Sequence, residues 1–280
     1  MLKSISTWAF APSRSAQEVF SLARSHGFEG VEVSIGGEGF PLCYQVNFDS
    51  TPDECARVRE AADQEGIQLA SMASGFGWDY PITSANPETR AKGIELAQKA
   101  LRVCSYLGLD AMLLVPGGVG ADFIPGFVVT DYEEAWNNAL ESLRQIAPVA
   151  EEVGVTVGVE NVWNKWLLSP LEFRSFLGEV NSPRVGCYFD VGNVVLTGYP
   201  EQWARILGER ITRVHFKDFK KSVGTLDGFC PLLEGDADYP AVVAALEKAN
   251  YFGPVTAEFF DAEDQLADIS RAMDSILGRG

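Results

Sequence analysis

The chain has 280 residues, 46% of them hydrophobic and 22% charged, so it can bury a full core and falls within the size range of one α/β barrel. Its formal net charge of −17 at pH 7 disfavours binding to a nucleic-acid backbone or to anionic lipid headgroups. The sequence contains no run of about 18 apolar residues, and its N-terminal stretch lacks the apolar core of a signal peptide. With the negative charge, this predicts neither a membrane nor a nucleic-acid partner.

Apolar, β-branched runs of strand length recur along the chain, and a segment with helical periodicity follows each of them. The predicted strands are 2–6, 30–33, 68–71, 111–115, 155–160, 185–189, 211–216 and 255–259. The predicted helices are 15–26, 52–65, 87–107, 131–153, 170–180, 200–207, 239–249 and 262–277. Several of these helices begin with Ser, Thr, Asp or Pro, which favour a helix N-terminus.

Strict alternation of strand and helix, eight times over, favours a (β/α)₈ TIM barrel over an open doubly wound sheet. An open sheet would bind a nucleotide at a glycine-rich first turn, but the first strand here leads into Thr-Trp-Ala-Phe-Ala-Pro. No linker-like or low-complexity segment interrupts the pattern, so we predict one barrel domain over 1–280. The longest loops, at 34–50, 116–130 and 218–238, follow the second, fourth and seventh strands and should lie on the C-terminal face of the barrel.

Polar residues stand at the C-terminal ends of the last four predicted strands: Glu160, Asp190, His215 and Glu258. A carboxylate in an apolar strand is costly to desolvate unless something compensates it, and strand ends of one barrel converge. Three carboxylates and one imidazole suit Mn²⁺, Co²⁺, Mg²⁺ or Zn²⁺, whereas a structural zinc site would call for thiolates. We therefore predict one catalytic divalent metal ion, with Mn²⁺ as the first choice. Each residue taken alone could instead cap a helix or pair with a Lys or Arg.

Cysteine usage points to a reducing compartment. The cysteines are odd in number, widely spaced and without a CxxC pair, which argues against a disulfide framework and against a zinc cluster. They are Cys43, Cys55, Cys104, Cys187 and Cys230. With the N-terminal stretch described above, this predicts a cytoplasmic protein.

Four stretches carry a family resemblance: Gly-Val-Glu-Asn at 158–161, Phe-Asp-Val-Gly-Asn at 189–193, Arg-Val-His-Phe-Lys-Asp at 213–218 and Thr-Ala-Glu at 256–258. They resemble the xylose-isomerase-like barrels, especially the sugar and sugar-phosphate isomerases and epimerases that include ketose 3-epimerases. The resemblance implies that the four strand-end residues bind the metal and that a sugar or sugar phosphate is the substrate. Because members of the family form dimers or tetramers, it also makes a homo-oligomer possible for this chain. It also implies an acid/base role for Glu160 and Glu258 around a metal-stabilised enediolate.

The sequence departs from that family at two positions. Asn193 stands where ketose 3-epimerases often have a substrate-contacting histidine; an asparagine can still donate a hydrogen bond, but it cannot carry a proton. Trp166 stands where such enzymes often have a second glutamate. The family also includes an endonuclease with three metal ions and many histidines, but this chain has only two histidines and a strongly negative charge, which disfavour that function.

Five residues are candidates for substrate binding: Asn193, Lys217, Trp8, Trp163 and Glu32. Lys217 could meet substrate oxygens, or it could pair with a buried carboxylate such as that of Asp218. The two tryptophans could wall a sugar-binding pocket, although scattered aromatics more often belong to a core. Glu32, at the predicted end of the second strand, could face the pocket or support other residues. His26 is expected to be a helix-terminus residue.

The sequence thus favours a metal-dependent sugar isomerase or epimerase, with 3-epimerisation of a ketose or ketose phosphate as the leading reaction. A metal-dependent lyase or dehydratase acting on a keto sugar or an inositol derivative is one alternative, because the same enediolate can expel a β-hydroxyl. A non-catalytic barrel that binds a sugar or a partner protein is the other.

Overall fold

The computed structural model of the protein describes residues 1–36 and 46–279. Eight parallel strands close into a barrel: the first strand pairs with both the second and the last, and every strand in between pairs with its neighbours in chain order. The barrel strands, numbered here in chain order, are β1 Leu2–Ser6, β2 Gly30–Gly36, β3 Gln68–Ser74, β4 Ala111–Leu114, β5 Thr156–Glu160, β6 Val185–Asp190, β7 Ile211–Phe216 and β8 Pro254–Ala257. The predicted (β/α)₈ barrel is confirmed.

An outer helix follows each strand and covers the barrel. These helices are α1 Ala16–Ser25, α2 Pro52–Glu65, α3 Pro87–Tyr106, α4 Tyr132–Val153, α5 Pro170–Val180, α6 Pro200–Leu207, α7 Tyr239–Lys248 and α8 Leu266–Ile276. The short elements outside this pattern include several 3₁₀ turns and a helical turn at Gly192–Val195. They also include a strand at Val46–Asn47 that pairs in parallel with the end of β2, and an antiparallel pair formed by Asp218–Phe219 and Phe229–Cys230.

Local sequence accounts for where the helices begin and end. Ser15 and Thr51 each form a capping box with the glutamate three residues on, and this satisfies amide groups that have no partner within the first turn. At the other end, Gly66 and Gly154 stop α2 and α4 in the left-handed conformation, which costs glycine little. These caps determine where the helices begin and end, and therefore where the chain turns back to form the next strand of the barrel.

Apolar residues fill two compartments. The larger lies between the barrel and its helices and includes Phe20, Phe28, Phe173 and Phe189. A smaller cluster, which contains Leu113 and Tyr188, fills part of the barrel interior. The rest of the interior is polar, and its buried side chains include Ser4, Ser71, Glu32 and Thr256. A polar interior next to the C-terminal face is unusual for a barrel whose inside serves only for packing, because branched apolar residues normally dominate there.

Most predicted boundaries agree with the structure to within one or two residues, but three differ more. β2 and β3 each continue three residues beyond their predicted ends, to Gly36 and Ser74. The last helix begins at Leu266, after a 3₁₀ turn at Glu263–Gln265. Of the predicted loop at 34–50, residues 37–45, including Cys43, lie outside the described part of the chain. In the remainder, no helix has the length and apolar character needed to span a bilayer.

Candidate metal centre and active site

The four strand-end residues converge on the axis of the barrel. Glu160 and Asp190 are the last residues of β5 and β6, His215 is the penultimate residue of β7, and Glu258 directly follows β8. Adjacent strands hold them in register, with Asp190 opposite His215 and His215 opposite Thr256. One potential ligand atom from each of the four lies within 4.8 Å of the others, and all four side chains are buried. The convergence expected from the sequence is therefore present.

The hydrogen bonding of this cluster is incomplete in a way that fits a metal ion. Asp190 Oδ2, His215 Nδ1 and Glu258 Oε2 are buried and make no hydrogen bond of good geometry, although Glu258 Oε2 has ion-pair contacts with Lys217 Nζ and His215 Nδ1. Leaving a buried polar atom unsatisfied costs about 1–3 kcal/mol, so a cluster of such atoms requires an explanation. A divalent cation bound between them would satisfy all three at once, and a donor set of three carboxylates and one imidazole suits such an ion.

Burial and mutual repulsion shift the pKa values of the carboxylates in the cluster. Burial, and after it the charge of Glu258, raises the pKa of Glu160 to about 8. Burial also raises the pKa of Asp190 to about 6, although Lys217 opposes the shift. Burial alone would raise the pKa of Glu258, but Lys217 and His215 outweigh it and hold that pKa below its ordinary range. The raised pKa values of Glu160 and Asp190 reflect the crowding of three carboxylates in one buried site, and a bound divalent cation would favour their ionised forms.

Two asparagines hold the ligand-bearing loops together. Asn161 bridges the backbone of Asp190, donating to its carbonyl oxygen at 2.8 Å and accepting from its amide at 2.8 Å. Asn193 donates through its backbone amide to Asp190 Oδ1 at 2.8 Å, and through its side chain to the Asn161 carbonyl oxygen at 3.0 Å and to Glu160 Oε1 at 3.4 Å. Asn193 lines the cavity as expected, and it also orients two of the candidate ligands. The role of Asn161 was not predicted, although its place directly after Glu160 was visible in the sequence.

Lys217 enters the cluster from its rim. Its Nζ lies 2.6 Å from Glu258 Oε2 and 3.4 Å from Asp190 Oδ2, and it stands 5.1 Å from the centre of the Phe229 ring. Lys217 thus pairs with buried carboxylates, as the alternative expectation held, but not with Asp218, whose carboxylate accepts from backbone amides instead. Lys217 is therefore placed to reach both the candidate metal ligands and the cavity above them.

The cavity above the cluster has a volume of about 810 Å³, and aromatic rings form much of its wall. Trp8 stacks on Phe260 with ring centres 5.2 Å apart. On the opposite side, Trp163 packs against Phe229 at 5.3 Å and donates from Nε1 to the Asn193 carbonyl oxygen at 2.9 Å. Both predicted tryptophans thus line the cavity. Phe229 and Phe260 were not predicted, because they lie outside the helices and strands that the sequence pattern indicates.

Three other predicted positions lie away from the cavity. The prediction that Glu32 ends its strand is wrong, because β2 runs on to Gly36 and Glu32 is fully buried behind His215. Trp166 packs in the core against Trp136 and Phe176. His26 follows α1, as expected, and its Nδ1 donates to the carbonyl oxygen of Leu22 at 2.8 Å.

The profile of the xylose isomerase-like TIM barrel family matches residues 20–276, and the chain therefore belongs to this family. Among its relatives is the L-ribulose-5-phosphate 3-epimerase UlaE of Escherichia coli O157:H7, which is 25% identical over 269 residues covering 94% of this chain and 89% of the relative.

Two solved structures share the fold over almost their whole length. The D-psicose 3-epimerase of Clostridium cellulolyticum H10, solved with D-tagatose, superimposes with a TM-score of 0.80 at 16% identity and covers 99% of both chains. The 3-keto-D-glucoside 4-epimerase YcjR of E. coli gives a TM-score of 0.77 at 18% identity and also covers 99% of both chains. At these identities the likeness establishes the shared fold.

Proposed function

We propose that this protein is a divalent-metal-dependent sugar epimerase that inverts C3 of a ketose. The observation that carries the proposal is the convergence of buried ligand atoms on Glu160, Asp190, His215 and Glu258 at the floor of an aromatic-walled cavity. Such a cavity suits a sugar, whose C–H faces pack on aromatic rings while its oxygens meet the polar floor. The 3-epimerase named among the relatives covers nearly the whole chain, which supports the same reaction.

Glu160, Asp190, His215 and Glu258 would hold the metal, for which we propose Mn²⁺. A set of three carboxylates and one imidazole is harder than zinc's usual ligands and contains a nitrogen that Mg²⁺ rarely takes. When bound, the ion polarises the carbonyl of the sugar and makes the neighbouring C–H bond acidic.

Glu160 and Glu258 are proposed as the acid/base pair. Glu160 ends β5 and Glu258 directly follows β8, and the strands that carry the other two ligands lie between them, so the two glutamates approach the centre from different directions. One glutamate can then remove the proton from one face of C3 while the other returns a proton to the opposite face, which inverts the carbon. Asn193 and Lys217, both at the cavity surface, are proposed to bind the hydroxyl and carbonyl oxygens of the sugar, and Trp8 and Trp163 to pack on its C–H faces.

Incubation of the Mn²⁺-loaded protein with free ketoses and ketose phosphates in D₂O tests the proposal. An epimerase yields a C3 epimer that carries one deuterium at C3, whereas a dehydratase or lyase yields a product that has lost water or a fragment. Glu258→Gln should abolish turnover, while the matched control Glu234→Gln, on an exposed loop carboxylate, should retain it. Full activity in the Glu258 variant, or no conversion of any ketose by the wild type, contradicts the proposal.

Cytoplasmic localisation, a single domain over 1–280 and the absence of a nucleic-acid partner are proposed on sequence grounds. Cys55, Cys104, Cys187 and Cys230 are free thiols, in keeping with a reducing compartment. The net charge of −17 disfavours a phosphate backbone as partner. A homo-oligomer remains compatible with the family.

A further inference from the structure

A buried hydrogen-bond network stands behind the histidine of the metal cluster. Glu32 Oε1 lies 3.0 Å from His215 Nε2, on the side of the ring opposite to the cluster. The other oxygen of Glu32 accepts from Ser71 Oγ at 2.8 Å and from the Tyr188 hydroxyl, and those two hydroxyls are themselves 3.0 Å apart. All four side chains are fully buried, and the Tyr188 ring also packs edge-on against the imidazole with ring centres 4.6 Å apart.

This network determines which nitrogen of His215 faces the cluster. A carboxylate can only accept, so the contact with Glu32 requires a proton on Nε2. In the neutral imidazole that leaves Nδ1 with a lone pair, and Nδ1 is the nitrogen without a hydrogen-bond partner, 3.2 Å from Glu258 Oε2 and 3.9 Å from Asp190 Oδ2. The ring is thus held in the tautomer and the orientation in which Nδ1 can bind a cation.

Glu32 is itself held in place for this task. It receives three hydrogen bonds, from an imidazole, a serine and a tyrosine, which compensate for burying a carboxylate. It does not reach the cavity wall, so a substrate cannot touch it. A polar network this deep in the barrel, where apolar packing is the norm, indicates a purpose other than stability.

We infer that Glu32 is a positioning residue that tunes the affinity of the metal site through His215, with Ser71 and Tyr188 fixing its carboxylate. The inference rests on the proposed function, since it assumes a metal in the cluster. A hydrogen-bonded carboxylate keeps the imidazole oriented and makes its ligating nitrogen more electron-rich. Loss of such a partner typically weakens metal binding by about 10- to 100-fold.

Metal titration with a competing chelator tests the inference directly. Glu32→Gln keeps the size of the side chain but removes its charge and lets it donate to Nε2, which favours the wrong tautomer. We expect Mn²⁺ and Zn²⁺ to bind this variant at least about 10-fold more weakly than the wild type. Glu29→Gln is the matched control: Glu29 precedes β2 at the far end of the barrel, where it pairs with Arg279 and the backbone of Lys3, and its loss should leave metal binding unchanged.

Nitrogen NMR of the histidine rings gives a second readout that does not depend on turnover. The chain has only two histidines, so the ring signals of His215 and His26 can be assigned from one His26→Gln variant. In the Zn²⁺-loaded wild type, His215 should be protonated at Nε2 and bound to the metal through Nδ1. Glu32→Gln should shift or broaden the His215 signals and leave those of His26 in place.

The outcomes separate this inference from the proposed function. A wild type that binds no metal contradicts both. A wild type that binds metal, together with a Glu32→Gln variant whose affinity and His215 tautomer are unchanged, overturns the role of Glu32 and leaves the metal site intact. Should Glu32→Gln fail to fold, Ser71→Ala decides: it leaves Glu32 in place and removes one donor, so weaker metal binding supports the inference and unchanged binding overturns it.

Discussion

The loop over the cavity depends on one buried carboxylate, and Asp218→Asn should release it. Asp218 accepts from four backbone amides: those of Phe219 and Ala237 on one oxygen at 2.8 and 3.1 Å, and those of Leu233 and Gly235 on the other at 3.0 and 3.1 Å. This arrangement ties down the segment that brings Phe229 to the cavity wall. Because an asparagine presents one oxygen and one NH₂ group, two of the four contacts become donor against donor.

The magnitude follows from those two contacts. A hydrogen bond to a charged group contributes about 1.5–3 kcal/mol, so losing two costs roughly 3 kcal/mol at the lower end. The loop can then detach and rehydrate without global unfolding, so the lost stability lowers the free energy of local opening of this loop. At 1.4 kcal/mol per tenfold, the amides of Leu233, Gly235 and Ala237 should exchange with solvent about 100-fold faster, and KM should rise.

Hydrogen exchange of those amides, measured by mass spectrometry, is the assay. Asp236→Asn is the control within the same loop, because the exposed Asp236 accepts from a single backbone amide, that of Lys221, at 2.7 Å. Its effect should stay within about 1 kcal/mol, because this bond is exposed to water and the asparagine can turn its own oxygen to the same amide. Exchange in the Asp218 variant that is no faster than in the control would refute the idea that the carboxylate organises the loop.

Three further predictions concern the cavity. Lys217→Met should tighten Mn²⁺ binding about tenfold in a chelator titration, because the ammonium group 2.6 Å from Glu258 Oε2 repels a cation; unchanged or weaker binding would contradict this. Free ketoses should show higher kcat/KM than their phosphates, since Lys217 is the only basic side chain among the described cavity-lining residues and already pairs with carboxylates; a clear preference for phosphates in steady-state assays would contradict it. Phe260→Ala removes the ring stacked on Trp8 and should raise KM several-fold, but it should change the melting temperature little because Phe260 is 52% exposed. Phe252→Ala is the control, since Phe252 is also exposed but remote from the cavity, and it should leave KM unchanged. Equal KM values in the two variants would exclude a substrate contact.

The fold was predictable because parallel barrel strands leave a strong signal. Runs such as the one at β4, buried on both faces, are continuously apolar, and each alternates with an amphipathic helix that has recognisable caps. The C-terminal end of a strand was harder to predict where polar residues continue the strand. β2 reads Gly-Val-Glu-Val-Ser-Ile-Gly, and its small and charged residues point into a polar barrel interior, which composition does not reveal.

The cluster itself was predictable, but its surroundings were not. Glu160, Asp190, His215 and Glu258 stand out because a charged residue at the end of an apolar strand needs compensation, and barrel topology brings such strand ends together. Contacts between residues that are distant in the chain do not produce a comparable sequence pattern. The bond from Glu32 to His215 spans 183 positions, and the register that aligns them is a property of the closed barrel.

The central claim is that the four converging side chains hold one divalent metal ion. Metal analysis by plasma mass spectrometry tests it most directly, on the wild type and on His215→Ala, after dialysis against mixed Mn²⁺, Co²⁺, Mg²⁺ and Zn²⁺ and removal of excess ions. The account predicts about one equivalent of metal in the wild type and a large loss in the variant, since removing one ligand leaves three carboxylates without their imidazole partner. No metal in either protein, or equal metal in both, would contradict it.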